Sequence, residues 1–280
     1  MTGRVLVTGA AGRIGRAVLD RLAAEGVEAH ALVLQDPGDL PARLTVTGDA
    51  ASAVAVRHAL SGVDAVIHLA AIPTPQRHAP HEVFAVNTLS TFTVLEEAGL
   101  AGVRRVALAG SWGATGLPWT ADPEPHPAYV PVDAALPAQV ADPYGLSKQV
   151  DEVTAAAMAR RHGMSVVCLR YPYIGGFDER LRAHAAAVEA DPAIGARDLW
   201  TYLEVRDAAR AALLALSVDA PGAHVVHLCA PETLVTHPTA DLMARYHPGT
   251  EIRRPLPGRT APVDLSAAEE LLGFRAQFVL

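Results

Sequence analysis

The sequence predicts an α/β fold built on a parallel sheet, and three observations carry that expectation. Short β-branched runs alternate along the chain with segments of helical periodicity, the pattern of βαβ units. The first such run leads straight into a glycine-punctuated turn and a helix. Half of the 280 residues are hydrophobic and 19% are charged, which is enough apolar side chain to bury a sheet on both faces.

The first strand is expected over 4–8 (RVLVT), followed by Gly9-Ala10-Ala11-Gly12-Arg13-Ile14-Gly15 and a helix to about 25. Glycines at such a turn permit a tight bend, bare backbone against an anion and close helix–strand packing, with the helix N-terminus facing the anion. The spacing is Gly-x-x-Gly-x-x-Gly, not the commoner Gly-x-Gly-x-x-Gly, so the reading as a dinucleotide site rests on its position at the first βα turn. Strands follow over 29–34 (AHALVL) and 44–47 (LTVT), then a helix over 53–60 and a strand over 64–69 (DAVIHL). The small-residue run Ala70-Ala71-Ile72-Pro73 then falls at a strand's C-terminal edge, where ligands of open α/β sheets bind. A helix over 81–100 precedes a strand over 103–109 (VRRVALA) that ends in Gly110-Ser111-Trp112-Gly113. Ser111 on such an edge is either a turn serine or a group that meets a ligand.

Between Trp112 and Pro143 the chain carries Pro118, Pro123, Pro125, Pro127, Pro131 and Pro137, with Trp119 and Tyr129 among them. Proline density of this kind predicts a stiff connection without regular secondary structure, either a lid or substrate wall or a loop packed on the surface. A helix over 145–162 and a sixth strand over 165–170 (SVVCLR) follow. The stretch 171–200 reads as irregular and helical, 204–217 as a strong helix, and 225–228 (VVHL) as a seventh strand. The expected organisation is a dinucleotide-binding domain over 1–170, to which 204–228 returns, with a smaller substrate-binding part over 171–203 and 229–280 and a cleft between them.

The segment Asp142-Pro143-Tyr144-Gly145-Leu146-Ser147-Lys148 sets a phenol and an amine four residues apart at the start of a helix, hence on one face. An ammonium beside a phenol, whose ordinary pKa is ~10, favours its ionised form and brings it toward general acid–base work. Chance helical spacing is the alternative. The net charge of −7 argues against nucleic acid and anionic membrane as partners and for a small-molecule substrate. Cys168 and Cys229 lie in apolar runs as reduced buried thiols, which points to the cytoplasm. Glycines interrupt the apolar N-terminus, so no signal peptide is expected, and no stretch reaches membrane-spanning length. His78 and His81 have helical spacing without a third ligand, so no metal site is expected.

Taken in order, Thr8 to Gly15, Gly48-Asp49, His68-Leu69-Ala70-Ala71, Asn87-Thr88, Ser111, Tyr144 to Lys148, Leu169-Arg170, Val205-Arg206-Asp207-Ala208-Ala209 and the tail from Asp264 to Phe274 carry a resemblance over nearly the whole chain. The chain resembles extended short-chain dehydrogenases/reductases, the NAD-dependent epimerase/dehydratase group. That resemblance implies a Rossmann-type doubly wound parallel sheet of seven strands, a smaller C-terminal part that closes over substrate, and NAD or NADP as cofactor. Tyr144 would exchange a proton with a substrate oxygen, Lys148 would hold the nicotinamide ribose and tune Tyr144, and Ser111 would hydrogen-bond the reacting oxygen. Gly9, Gly12, Arg13, Ile14 and Gly15 would follow the pyrophosphate, and Asp49 with Ala50 would meet the adenine. An ordinary turn aspartate is the other reading of Asp49. Leu69, Ala70, Ala71 and Tyr171 would line the cofactor cleft. Asn87 would sit beside the active-site helix, as a cofactor contact or a buried structural amide. Family members often dimerise through the helices over 81–100 and 145–162, so a homodimer is implied.

Departures narrow the reaction. Val33-Leu34-Gln35 replaces the acidic residue that many NAD users of the family carry after the second strand, leaving NAD against NADP open. Trp112-Gly113 replaces the Asp-Glu pair of the dehydratases, which disfavours dehydration. The layout is similar to that of uronate dehydrogenases, in which an arginine after the sixth strand grips a carboxylate. Arg180 would take that place, with Ser111 and Trp112, in binding substrate, unless it is a solvated helix arginine. The resulting expectation is an NAD(P)-dependent oxidoreductase moving a hydride between nicotinamide and a secondary alcohol or carbonyl of a small polar metabolite such as a sugar or sugar acid. The alternatives are an epimerase that retains its cofactor and a non-catalytic dinucleotide-binding sensor.

Overall fold

In the computed structural model, which describes residues 3–120 and 126–280, seven strands lie side by side and all parallel. They are β1 (Val5–Thr8), β2 (Ala29–Val33), β3 (Leu44–Thr47), β4 (Ala65–His68), β5 (Arg105–Ser111), β6 (Ser165–Tyr171) and β7 (Gly222–His227). Their order is β3-β2-β1-β4-β5-β6-β7. Strand order reverses between β1 and β4, where Thr8 lies opposite His68. In an open sheet the crevice outside the C-terminal ends of two such strands is where ligands bind.

Successive residues of each strand face opposite sides. Val5, Val7, Ala29, Ala31, Val167 and Leu169 pack on α1 (Arg13–Ala24) and α6 (Val205–Ala215). Leu6, Leu32, Val66, Val106, Leu108 and Cys168 pack on α2 (Ala53–Ala59), α3 (Pro80–Leu100) and α4 (Pro143–His162). Because helices cover both faces, the strands read as continuous apolar runs without alternation. Each fully buried leucine or valine in these layers contributes about 1.5–3 kcal/mol of burial.

β5 runs two residues further than its apolar core predicts, so Ser111 is at once the last residue of the strand and the cap of the 3₁₀ turn that follows. Its pairing with Tyr171 of β6 carries the ladder that far. The proline-rich connection also differs from expectation. Tyr129–Val130 form a short strand parallel to Glu251–Ile252, because the residue before a proline is driven to extended backbone and Val130 precedes Pro131. Pro123 and Pro125 lie outside the described residues. Trp112, Leu117, Tyr129, Val130, Val132 and Leu136 join a third core cluster with Trp200, Tyr202, Met243 and Leu256, so this connection packs with the chain beyond β6 and not on the two sheet layers. Within 171–200, Tyr173–Gly175 pairs with Tyr202–Glu204, and α5 (Arg182–Ala190) follows a single wide turn at Phe177–Leu181. α7 (Thr239–Tyr246) and α8 (Ser266–Leu272) complete the chain. His78 precedes α3 and bonds Glu82, so it does not share a helix face with His81. No helix among the described residues is long and apolar enough to cross a membrane.

Candidate active site

The turn after β1 is held from two sides. Gly9 has φ +64, a conformation costly for other residues, and a Cβ there would stand 2.7 Å from the Ala70 nitrogen. A Cβ on Gly15 would stand 2.5 Å from the Gly9 carbonyl. Gly12 caps α1 with no side-chain hydrogen bond, and the first turn holds no acidic residue. The first N–H groups of a helix have no intrahelical acceptor, so this terminus suits an anion such as a pyrophosphate. The loop after β4 is tied to the same turn by Thr8, whose Oγ1 accepts from the Leu69 and Ala70 nitrogens at 3.2 Å each. Its hydroxyl hydrogen is left for His68 Nδ1, 2.6 Å away, and His68 Nε2–H then faces Thr91 Oγ1 at 3.3 Å. Burial, and then the nearby Lys148 charge, push His68 down to about 3, so it stays a neutral strut.

α4 begins where the sequence dictates. Asp142 Oδ1 accepts from the Gly145 nitrogen at 2.8 Å, and Pro143 occupies the first turn, which needs no N–H from it. Tyr144 therefore stands in the first turn and Lys148 one turn further along the same face. A 3₁₀ turn, Trp112–Thr115, continues β5 and packs against them. That approach depends on two glycines, for a Cβ on Gly113 would lie 3.0 Å from Tyr144 Cε1 and one on Gly145 2.6 Å from the Gly113 carbonyl. Neither glycine stands out from sequence spacing alone. Ser111 Oγ accepts from the Gly113 nitrogen at 3.0 Å, which leaves its own hydrogen free to donate. Lys148 is buried, with Nζ 6.0 Å from the centre of the Tyr144 ring, 3.1 Å from the Ala109 carbonyl and 3.0 Å from Asp151 Oδ2. Asn87, fully buried on α3, bonds both polar groups of Ile72 and donates to Ser147 Oγ at 3.0 Å, so it pins the β4 loop to α4.

These elements border a cleft of about 630 Å³. Ser111, Tyr144 and Lys148 line it together with Arg13, Ile14, Leu69, Ala71 and Tyr171. Gly9, Gly12, Gly15, Ala70 and Asn87 are not among the residues that line it, and Asp49 and Ala50 lie beyond β3, two strands from β1. Asp49 Oδ1 accepts from the Ala51 nitrogen at 2.8 Å, an Asx turn, while Ala50 is buried against the α2 side. The Tyr171 hydroxyl donates to the Ala208 carbonyl at 3.0 Å, so only its ring meets the cleft. Trp112 touches the cleft, yet its indole N–H is spent on the Arg197 carbonyl at 3.1 Å and its ring packs edge-on against His227.

The opposite wall comes from the stretch that follows β6. Arg180 Nε donates to Tyr173 Oη at 2.6 Å, with His184 stacked on the same ring at 3.9 Å. No carboxylate among the described residues forms an ion pair with Arg180 or with the exposed Arg77, and both line the cleft. Asp198 lines it too, with burial pushing its carboxyl up to about 6. Arg13 and Glu179 bridge the cleft's two sides at 2.6 Å, and the hydrogen-bonded carboxylate raises the already high guanidinium pKa. Tyr173, His184, Asp198 and Arg77 carry no signal in the sequence, because the segments that hold them have neither periodicity nor a glycine turn.

Known proteins resemble this chain in sequence and fold. A uronate dehydrogenase of Pseudomonas putida is 32% identical over 169 residues, 60% of this chain and 59% of that protein, so the match spans about three-fifths of the relative's length. A UDP-glucose 4-epimerase of Streptomyces lividans is 26% identical over 96% of this chain and 89% of its own. The structure of MoeE5 in complex with UDP-glucuronic acid and NAD superposes with a TM-score of 0.73 at 26% identity, covering 99% of this chain and 95% of that one. The sequence model of the NAD dependent epimerase/dehydratase family matches residues 5–229. With the parallel seven-stranded sheet, the glycine turn and the Ser111–Tyr144–Lys148 cleft already in place, the chain belongs to the NAD dependent epimerase/dehydratase family.

Proposed function

We propose that this protein is an NAD(P)-dependent oxidoreductase that interconverts a secondary alcohol and a carbonyl on a sugar or sugar acid, with Tyr144 as general acid–base. The observation that carries the reading is one cleft with Ser111, Tyr144 and Lys148 on one wall and, on the other, Arg180, which leans on Tyr173 and forms no ion pair with a carboxylate among the described residues. The uronate-linked names of two similar proteins support a carboxylated sugar as the substrate class.

The turn from Gly9 to Gly15 and the α1 N-terminus would hold the pyrophosphate, and Lys148 would hold the nicotinamide ribose. NAD or NADP, when bound, supplies the hydride acceptor or donor. Tyr144 takes the proton of the substrate hydroxyl in oxidation and returns it in reduction. Ser111 donates to the same oxygen, so charge that develops there meets two preplaced groups. Lys148 sets a positive charge 6.0 Å from the centre of the Tyr144 ring, on the side where the substrate oxygen would sit. Arg180 anchors a carboxylate at the far end of the substrate and so sets which carbon faces Tyr144. The arginines at the start of α1 are held by acids, Arg13 by Glu179 and Arg16 by Asp39, so neither is left for a 2′-phosphate, which favours NAD.

Similarity to the Streptomyces epimerase along 96% of the chain favours a second reading, epimerisation with a retained cofactor. Incubation with NAD or NADP and a panel of uronic acids, aldoses and UDP-sugars separates the two: oxidation raises the reduced-nicotinamide absorbance, whereas epimerisation changes the product without it. Tyr144→Phe is expected to lower kcat by about 10²–10⁴ with cofactor affinity retained. Full turnover in that variant overturns the mechanism. We further infer a homodimer, since Leu89 and Phe92 on α3 and Leu146 and Val153 on α4 are exposed large apolar side chains. Sedimentation at a monomer mass refutes it. The two free buried cysteines, Cys168 and Cys229, suit a cytoplasmic enzyme.

A further inference from the structure

Lys148 is only 4% exposed, and an ammonium at that depth is destabilising unless a partner offsets the lost hydration. Its partner is Asp151, 1% exposed and nearly one turn along α4, with Oδ2 3.0 Å from Nζ. A second N–H points to the Ala109 carbonyl at the end of β5, 3.1 Å away. Two of three donors are thus fixed, and the third is left for the Tyr144 side of the cleft. Asp151 Oδ1 is buried with no hydrogen-bond partner among the described residues, so the carboxylate serves no wider polar network.

The other groups facing Lys148 carry no compensating charge. On its own helix Tyr144 is a phenol, and on β4 His68 is held neutral by burial. On β6 the Cys168 thiol is pushed up by burial and stays protonated, while Glu152, on α4 itself, is spent on Arg170 of β6 at 2.8 Å. From α3 come the uncharged Asn87 and Thr91, which act through Ser147 and His68. We propose that Asp151 is a positioning residue for this site, holding Lys148 as an aimed ammonium beneath Tyr144 without itself touching substrate. The proposal rests on the reading of Tyr144 and Lys148 as the proton-transfer pair. Burial lowers the lysine's pKa, and Asp151, followed by Tyr144, more than offsets it, so the net direction is upward. Without the carboxylate the burial effect stands nearly alone, and the lysine gives up its proton at lower pH.

Asp151→Asn keeps the shape and removes the charge. With saturating NAD and sugar, kcat of the native protein is expected to show no alkaline loss attributable to Lys148 below about pH 10, its ordinary range. In Asp151→Asn a new alkaline limb is expected, with kcat down about tenfold or more by that pH. Asp151→Glu should restore the native profile. A native alkaline profile in Asp151→Asn overturns the proposal. Thermal unfolding gives a second reading that needs no turnover. Lys148→Met and Asp151→Leu should each lower Tm, and the double variant should recover most of the loss, since each single change strands a buried charge. Additive losses overturn the proposal. Full activity in Tyr144→Phe would remove the mechanistic reading while leaving this cycle intact, so the two failures are distinguishable.

Discussion

Gly113→Ala tests how closely turnover depends on the spacing between β5 and α4. Gly113 lacks a left-handed φ, so alanine meets no backbone penalty and the perturbation is the added methyl alone. That methyl would lie 3.0 Å from Tyr144 Cε1 and 3.2 Å from both Tyr144 Cδ1 and Ser111 Oγ. Carbon contacts are optimal at about 3.5–4.0 Å, so the phenol must retreat by roughly half an ångström. Displacements near 1 Å can cost about 10²-fold in rate, so half of that predicts a kcat lower by about tenfold. Overpacking of this kind costs about 1–3 kcal/mol of stability, to be checked by melting. Cofactor affinity should stay unchanged, because the glycine turn and the α1 N-terminus lie on other elements. Single-turnover rates at saturating cofactor and sugar, with cofactor titration in parallel, provide the measurement. Native kcat in Gly113→Ala would refute the view that contact through this turn sets the position of Tyr144.

Arg180→Met should raise KM for a carboxylated sugar about 10–100-fold, the worth of a charged hydrogen bond at about 1.5–3 kcal/mol, and leave KM for a neutral aldose nearly unchanged. Equal effects on both would remove the carboxylate role. Asp198 has its carboxyl pushed up to about 6, so its favourable contribution to folding is complete below its ordinary pKa near ~4 and is lost as pH rises through 6. Asp198→Asn should therefore melt higher than the native protein at neutral pH, with the gap shrinking in acid, and a pH-independent gap would contradict this. His68 and His227 are both held down to about 3, by burial first and then by a neighbouring cation, so the stability they confer is present above ~6.5 and lost as pH falls toward 3. His227→Gln should make acid unfolding shallower, by up to ~1.4 kcal/mol per pH unit, in a melting series from neutral to acid pH.

The sheet was legible because its determinants are local. β-branched runs of four to seven residues, helical periods between them and a glycine turn after the first are all written in neighbouring residues, and the strands fall on those runs, except that β7 begins at Gly222, three residues before its apolar run at 225–228. The start of α4 was equally local, since Asp142, Pro143 and Tyr144 form a cap and a first turn by themselves. Strand ends were less so. β5 reaches Ser111 because Tyr171 pairs with it across sixty residues, and Tyr129–Val130 form a strand because Glu251–Ile252 arrive beside them.

The far wall of the cleft was decided by tertiary structure. Arg180 was singled out through the resemblance, but Tyr173, His184 and Asp198, which meet it through a wide helical turn and a short strand pair, have no repeating spacing to betray them. Trp112 lines the cleft beside Ser111, as expected of a substrate neighbour, with its N–H committed to the Arg197 carbonyl. Gly113 and Gly145 matter because two elements distant in sequence touch there, and Asp151 because Lys148 is buried against it. Local sequence by itself determined which segments become strand, turn and helix, since hydrogen bonding and side-chain period act over a few residues. Burial, the pairing of charges and the approach of one backbone to another exist only after the chain has closed on itself, and these decided which side chains share the cleft.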